Sequence, residues 1–248
     1  MKAFVLSLLL FSAGAFAQNT IPPGTVLPAQ LNSSLNSLKS KPGQTITARI
    51  MQDVPLSPGR KIPAGAKVVG HVMTVKAAQD GRASEITFSF TRLNFAHHSV
   101  PISINLRALA SMTEVEQAQI PPAGTDRGTP WAWSTRNLIG GQVAYGEGAP
   151  VARGIDTVGR ALADGVLAPV NQNPASGCGG EPADNAEPQA LWVFSSGSCG
   201  VYGIGDVQIT HTGRTAPVGE ITLTSKQGNL DIRSGSGMLL RVNSASIP

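Results

Sequence analysis

The sequence has few aromatic, charged and sulfur-containing side chains, and each shortage argues against a class of function. Only 5% of the 248 residues are aromatic and 14% are charged. The 19 basic residues exceed the 15 acidic ones, but they are scattered, and the longest run is Arg60-Lys61. Binding nucleic acid requires clustered cations, and stacking on bases or sugars requires aromatic platforms. The composition therefore predicts no nucleic-acid partner.

Long apolar runs are also missing. The first apolar stretch, residues 3–11, is shorter than the roughly 20 residues of a membrane-spanning helix, and no later stretch is longer. Lys2 precedes this run and the small-x-small triplet Ala15-Phe16-Ala17 follows it, which is typical of a secretory signal peptide. We expect residues 1–17 to be removed before Gln18; the alternative is a buried N-terminal helix. The mature chain, without a transmembrane helix, would then be periplasmic or extracellular.

Cysteine is scarce, and its use fits export. The two cysteines, Cys178 and Cys199, form an even number, which in an exported chain favours a disulfide. Closing that loop of about 20 residues stabilises a fold by about 3 kcal/mol on the chain-entropy account. Two free thiols or half of a metal site are the alternatives, although the spacing differs from the Cys-x-x-Cys of redox and zinc motifs.

Motifs for nucleophilic and acid–base catalysis are absent. Ser198 and Ser236 lie in glycine-rich stretches, but neither fits the Gly-x-Ser-x-Gly turn before a helix that exposes a nucleophile. Glu114 and Glu116 are two residues apart and would diverge on a helix, whereas paired acid–base work needs convergent carboxyls. No glycine loop ending in Lys-Ser or Lys-Thr is present to bind phosphate. We therefore predict no catalytic residue, no cofactor and no enzymatic activity.

Histidine is also rare, and its placement predicts no metal site. His97 and His98 are adjacent and sit in a predicted turn, without a third ligand nearby in sequence. His71 lies within a predicted strand, where a packed or surface side chain is expected. His211 follows another predicted strand and is flanked by threonines.

The stretch GTPWAWSTRN contains two of the three tryptophans. Trp131 and Trp133 occupy alternate positions, which share one side of an extended segment, and this makes them candidates for contact with a partner. The alternative is that both rings fold down over the core.

Alternating hydrophobicity between residues 44 and 110 predicts β-strands. Apolar and polar residues alternate in QTITARIMQDV, SEITFSFTRLNF and SVPISINLRAL, whereas KVVGHVMTV is apolar on both faces. Asp80-Gly81 is a strong hairpin signal, because a type I′ turn needs positive φ at both central residues. Residues 96–99 provide a second tight connection, and Pro101 places its strand at a start or an edge.

Residues 111–190 have a different composition, with twelve glycines and eight prolines. Such a content is typical of loops. Within this region we expect one or two helical turns in TEVEQAQ and a helix face formed by Ile155, Val158 and Leu162, although Gly159 weakens the latter. We predict that the remainder is a long loop.

After Leu191 the strand signal returns. ALWVF, GDVQIT, GEITLTS, GNLDIRS and MLLRVN are apolar or alternating. The strands of the first segment need a second sheet, or closure into a barrel, to cover their apolar faces. We therefore predict an all-β fold, an antiparallel meander that forms a barrel or a two-sheet sandwich, with a Gly/Pro-rich excursion. Residues 18–110 and 191–248 would share one core, and residues 111–190 would form the excursion.

Short phrases in residues 22–107 resemble the C-terminal β domain of TrbI-like scaffold proteins of type IV secretion and conjugation machines. The phrase Ile-Pro-x-Gly occurs at residues 21–24 and 62–65, and we expect both copies to be chain corners that lead into strands. The positions that match the family pattern are Gly24, Thr25, Leu27, Ala29, Leu31, Pro42, Gly43, Ala48, Ile62, Pro63, Gly65, Val69, Gly70, Arg92 and Leu93.

The resemblance implies a β-barrel or sandwich that assembles into rings in a bacterial envelope. The family's N-terminal membrane anchor, proline-rich arm and pore-lining helical hairpin have no counterpart that the sequence pattern reveals, and residues 111–248 match nothing in the pattern. The leading hypothesis is a non-catalytic, exported structural or interaction protein of the cell envelope, with itself or another envelope protein as partner. The alternatives are a soluble periplasmic or extracellular binding module that uses the loops of residues 111–190, and a hydrolase whose site the sequence pattern does not reveal.

Overall fold

The structure is a computed structural model that describes residues 21–79, 81–120, 135–169 and 188–244. Most of these residues lie in antiparallel strands, and the one helix among them is short. The prediction of an all-β fold is confirmed. Within the described ranges no sheet closes into a barrel, and two sheets pack together in a sandwich-like arrangement.

The larger sheet contains ten strands drawn from both ends of the chain. The strands are β1 (Val26–Leu31), β3 (Thr45–Ile50), β6 (Lys67–Lys76), β7 (Ser84–Phe95), β8 (His98–Pro101), β9 (Ser103–Ala110), β16 (Gly200–Tyr202), β17 (Val207–His211), β18 (Glu220–Ser225) and β20 (Gly237–Ser244). Their order in the sheet is β16-β9-β20-β1-β3-β6-β7-β18-β17, and β8 also pairs with β7. Every pair is antiparallel except β16 with β9. The alternating stretches between residues 44 and 110 thus form strands as predicted.

Tight turns connect the central strands. The bridge between Gln79 and Arg82 closes the β6–β7 connection, where Gly81 has φ +76°. Ala96 and His97 form the turn between β7 and β8, with φ of 44° and 67°. Positive φ at both central residues is the geometry of a type I′ hairpin turn, which matches the right-handed twist of the strands.

The two Ile-Pro-x-Gly phrases form the same kind of corner. Gly24 and Gly65 both have φ +87°, and each is the third residue of a four-residue turn. In each turn the amide of the fourth residue donates a hydrogen bond to the carbonyl of the proline at the first position, at 3.2 Å. Such a turn requires positive φ at its third position and therefore favours glycine. β1 and β6 begin within two residues of these glycines.

A six-stranded sheet occupies much of the region for which the sequence predicted a loop, so that prediction is wrong for the residues described. Its strands, paired in sequence order, are β10 (Thr135–Asn137), β11 (Val143–Tyr145), β12 (Pro150–Arg153), β13 (Asp156–Leu162), β14 (Gly165–Pro169) and β15 (Pro188–Ala190). Short strands linked by glycine turns raise the glycine content without making the segment a loop. The division into domains by residue number stays a prediction.

The predicted helix face around residue 158 is also wrong. Ile155 lies in the two-residue turn between β12 and β13 and is fully exposed, while Val158 and Leu162 belong to β13. Gly159 has a strand role: a Cβ there would lie 2.4 Å from the Cβ of Ala168 on β14. Gly159 thus permits close approach of two strands, whereas in the sequence it counted only as a residue that weakens a helix.

One helix, α1 (Met112–Gln119), follows β9, and the Ser111 side chain caps it by accepting a hydrogen bond from the Glu114 amide. The described chain contains no helix with the length and apolar character needed to cross a membrane.

Two short strand pairs lie outside the two large sheets: β2 (Leu35–Asn36) with β19 (Asp231–Ile232), and β4 (Val54–Ser57) with β5 (Arg60–Ile62). The expected strand in ALWVF is absent, because residues 191–194 form a turn closed by the Phe194 amide on the Leu191 carbonyl.

Two hydrophobic clusters lie on opposite faces of the larger sheet. The first joins residues of the N-terminal strands, such as Leu27, Phe88 and Leu106, to C-terminal ones such as Leu223 and Leu240. The second lies where β1, β9 and β20 meet the smaller sheet, α1 and the turn of residues 191–194. Strands β1, β9 and β20 are therefore covered on both faces.

Candidate binding surface

The β4–β5 hairpin forms the connection between β3 and β6. Val54 and Ile62 are buried at its base, while Pro58 and Gly59 at its tip are exposed. The Asp53 carboxylate holds the base by pairing with the Lys61 ammonium and accepting a hydrogen bond from the Ala64 amide at 2.8 Å. The Lys61 hydrogen bond and then the Ala64 amide lower the pKa of Asp53. The hairpin is thus fixed by groups at its base.

A cleft of about 540 Å³ separates this hairpin from β8. Its walls are largely apolar, because Leu56 lies on one side and Phe95 and Val100 lie on the other. Arg60 and His98 add polar and cationic groups at the same cleft. This chemistry suits an apolar side chain of a partner with an acidic group beside it.

Further clefts lie on the side of the hairpin that faces the smaller sheet. One of about 460 Å³ is lined by Asp53, Arg60 and Leu167 among others, and one of about 580 Å³ reaches Pro188 and Gln189. The hairpin therefore has open clefts on both sides, and Leu167 of β14 forms a wall of two of them. The sequence predicted neither the clefts nor the role of the hairpin, because both depend on how the two sheets pack.

The clefts have few polar lining groups. The polar lining consists of Asp53, Arg60, Lys61, His98 and serine, threonine or glutamine side chains, and Asp53 pairs with Lys61. In the described ranges no group of three histidine, cysteine, aspartate or glutamate side chains converges as metal ligands would. The surface offers binding groups, namely apolar walls and cations.

Ser198, considered above as a nucleophile, belongs to a buried structural network. The buried Arg107 of β9 donates from Nε to the Ser198 carbonyl at 3.1 Å and from Nη2 to the Ser196 carbonyl at 3.0 Å. The Gln142 side chain accepts from the Ser196 amide at 2.9 Å. Ser236 is buried as well. Hydrogen bonds to buried backbone groups avoid the cost of leaving those groups unsatisfied, so this network holds the turn of residues 194–199 against the larger sheet.

The other residues singled out in the sequence are dispersed. His97 lies in the β7–β8 turn as predicted, His98 on β8, and His71 is exposed on β6. His211 ends β17, with Nδ1 2.6 Å from the Glu220 carbonyl oxygen. Glu114 and Glu116 are both on α1.

The candidate partner contacts Trp131 and Trp133 and the cysteine Cys178 lie outside the described residues. Cys199 follows the serine turn, its amide donating to the Tyr202 hydroxyl at 2.9 Å, and no cysteine among the described residues is free. The pairing of Cys178 with Cys199 stays a prediction.

The structure also brings together cations that are far apart in sequence. Arg49, Lys67 and Arg92 are exposed on the outward face of β3, β6 and β7, and we call this set the cationic face. In the sequence these cations are scattered. They become neighbours only through the register of strand pairing, which the composition does not show. The polar positions of the alternating stretches were the available signal.

Comparison with known proteins gives limited information. No protein family model matches the chain, and no curated protein matches it. One solved structure that resembles it is ComB10 of the Com type IV secretion system of Helicobacter pylori, with 22% identity and a TM-score of 0.27 over 34% of this chain. The match spans 43% of the ComB10 chain. A likeness at this level carries no argument about function.

Proposed function

We propose that this chain is a non-catalytic, exported interaction protein of the bacterial cell envelope, a scaffold subunit related to secretion machinery. The observation that carries the proposal is the β4–β5 hairpin, which lies between largely apolar clefts, two of them lined also by Arg60 and Lys61. The sequence supports the same proposal through the signal-peptide pattern and the resemblance of residues 22–107 to TrbI-like scaffold domains. The partner is a second copy of this chain or another envelope protein.

The hairpin fits a protein partner by its shape and chemistry. Interfaces are built around apolar side chains that enter pockets, with polar groups at the rim. Pro55, Pro58 and Gly59 present an exposed ridge, and the adjacent clefts can receive side chains from the partner. The buried Val54 and Ile62 anchor the base of the hairpin, and Asp53 pairs there with Lys61, which lowers the entropy cost of ordering the hairpin on binding.

Site-specific crosslinking in the native envelope tests this proposal. A photoreactive amino acid at Pro58, on the ridge, should give an adduct of defined mass, and twice the chain mass would identify a second copy. The matched control places the same group at the exposed residue Lys226, away from the hairpin. Equal labelling at both positions, or an exported protein without an adduct at Pro58, would refute the hairpin as the contact.

The alternative, a soluble binding module that uses residues 111–190, is favoured by one observation: Leu162 and Leu167 of the smaller sheet line the same clefts. Light scattering on the purified mature chain distinguishes a scaffold subunit that assembles with itself, which forms a large species, from a binding module, which stays monomeric.

Export and the disulfide are part of the proposal. The mature chain should begin at Gln18, and Cys178 and Cys199 should be linked. N-terminal sequencing of envelope-extracted protein and mass spectrometry of peptides without reduction test the two statements. A retained Met1 would contradict export, and two thiols that alkylate in the native protein would contradict the disulfide.

A further inference from the structure

The cationic face has a regular geometry that follows from strand register. Arg49 on β3 lies directly opposite Lys67 on β6, and Lys67 lies opposite Asn94 on β7. Arg92 occupies the next row, opposite Val69. Directly opposite residues have Cβ atoms about 5 Å apart and diagonal ones about 7–8 Å apart, so one extended ligand can reach all three cations.

Two other lysines of the described chain face carboxylates. Lys76 and Glu85, at the other end of the same two strands, are opposite each other and form an ion pair at 2.8 Å. Lys61 pairs with Asp53. The two rows that contain the cationic face hold no acidic residue among the described strands, and like charges directly opposite each other are destabilising. The fold therefore tolerates a local cost at Arg49 and Lys67 that it avoids at Lys76.

Uncharged neighbours orient the face. The Arg49 Nη2 atom donates to Oε1 of Gln30 on β1 at 3.3 Å, and the Ser99 hydroxyl donates to Oδ1 of Asn94 at 2.8 Å. These contacts satisfy the amide oxygens and leave the cationic groups exposed to solvent. A guanidinium positioned in this way can bind a carboxylate through two parallel hydrogen bonds.

We propose that the cationic face binds an acidic polypeptide segment. Carboxylates on an extended segment laid across the strands can meet Arg49, Lys67 and Arg92 at the spacing the rows provide. A membrane surface is a poorer fit, because interfacial binding uses exposed aromatic or large apolar side chains as well as cations. The apolar members of these rows are the half-buried Val69 and the exposed Pro101, which is neither aromatic nor large. Nucleic acid is a poorer fit because the face has no aromatic side chain for stacking. The inference does not depend on the hairpin.

Fluorescence anisotropy with a labelled deca-glutamate peptide tests the proposal on the full mature chain. We expect saturable binding at low salt that weakens as salt is added. Replacing the three cations together by Arg49→Gln, Lys67→Gln and Arg92→Gln should weaken binding about tenfold, which corresponds to three exposed ion pairs of ordinary strength. The control removes equal charge at three other exposed cations, Lys39→Gln, Lys226→Gln and Arg233→Gln, and should weaken binding less than about twofold, the residual long-range effect of net charge.

A second variant separates binding from folding. Lys67→Glu places a carboxylate directly opposite Arg49 in place of a second cation. The melting temperature should therefore equal or exceed that of the unmodified chain, while peptide binding is lost. Undiminished binding by this variant would overturn the proposal, as would equal loss in the two triple variants or no binding by the unmodified chain. Tighter binding to phosphatidylglycerol vesicles or to a DNA oligonucleotide, lost in the first triple variant, would overturn the choice of an acidic polypeptide.

Discussion

Gly70, on β6, shows how one residue position controls strand packing. It is buried, and a Cβ added to it would lie 1.9 Å from the Ser89 carbonyl oxygen and 2.7 Å from the Phe90 Cα, both backbone atoms of β7. We expect Gly70→Ala to destabilise the protein by about 2–4 kcal/mol, because the neighbouring backbone must move to accept a methyl group. Urea unfolding followed by circular dichroism measures the change.

Gly228→Ala is the matched control for this substitution. No atom lies within 4 Å of the position of its Cβ, and its φ is not positive, so the free energy of unfolding should change by less than about 0.5 kcal/mol or rise slightly. Equal effects of the two substitutions would show that β6 and β7 are not this close at Gly70.

At this scale the sequence revealed some residues and missed others. The glycines of the Ile-Pro-x-Gly corners were predictable, since turn chemistry is local. Gly70 belongs to the motif that resembles the TrbI-like pattern, but its role in packing depends on the backbone of β7 and could not be read from the sequence. The three cations of the cationic face were not predictable, because only the pairing register makes Arg49, Lys67 and Arg92 neighbours.

The β4–β5 hairpin is the element whose stability should respond to pH. The pKa of Asp53 is lowered from 3.8 in the folded chain, so its ionised form stabilises the hairpin at pH values above the unfolded pKa. That contribution is lost as the pH falls through the lower, folded pKa. We expect the exchange of the Ala64 amide hydrogen, which bonds to Asp53, to accelerate below about pH 4 relative to the intrinsic rate.

Asp53→Asn provides the comparison for the hairpin. In this variant the protection of the Ala64 amide should be lower at neutral pH and should not change in the acid range. Asp206, whose pKa is lowered chiefly by the Ser225 hydrogen bond, lies at the start of another hairpin, and Asp206→Asn should leave the Ala64 amide unaffected. An acid-labile Ala64 amide in the Asp53→Asn variant would contradict the assignment.

The turn between β12 and β13 distinguishes the strand from the helix first expected there. Because Ile155 is fully exposed at this turn, Ile155→Asp should change the free energy of unfolding by less than about 0.5 kcal/mol. A helix face packed on the core would instead lose more than about 2 kcal/mol. Val151→Asp, at a buried position of β12, serves as the sensitive control and should strongly destabilise the smaller sheet.

Strands were predictable from the sequence where their apolar and polar residues alternate regularly. Strands β3 and β6 bury every second residue over much of their length, and their patterns were visible in the sequence. In β13 most positions are exposed or half-buried and one, Ala161, is buried, so no apolar alternation marks it as a strand. Its partner strands are short, and the glycines between them imitate the composition of a loop.

The whole larger sheet depends on its C-terminal strands. β20 pairs with β1 on one side and β9 on the other, and β18 pairs with β7. We expect a fragment that ends at Ala110 not to fold, because β9 loses both neighbours and Phe88, Leu106 and their cluster lose their cover. Circular dichroism and thermal melting of the fragment, with the intact mature chain as control, test this. A cooperative melt of the fragment would mean that the two segments have independent cores.

The position of β20 between β1 and β9 has a consequence for the timing of folding. During synthesis β1 and β9 emerge more than a hundred residues before the strand that joins them. Pairings of such large sequence separation form slowly, and chains that wait for them expose apolar surface. The nascent chain therefore cannot complete its larger sheet before Ser244 has been synthesised. Under the proposed export, this delay would keep the polypeptide unfolded during passage through a translocation channel, and we expect its export to depend on a chaperone that holds unfolded chains.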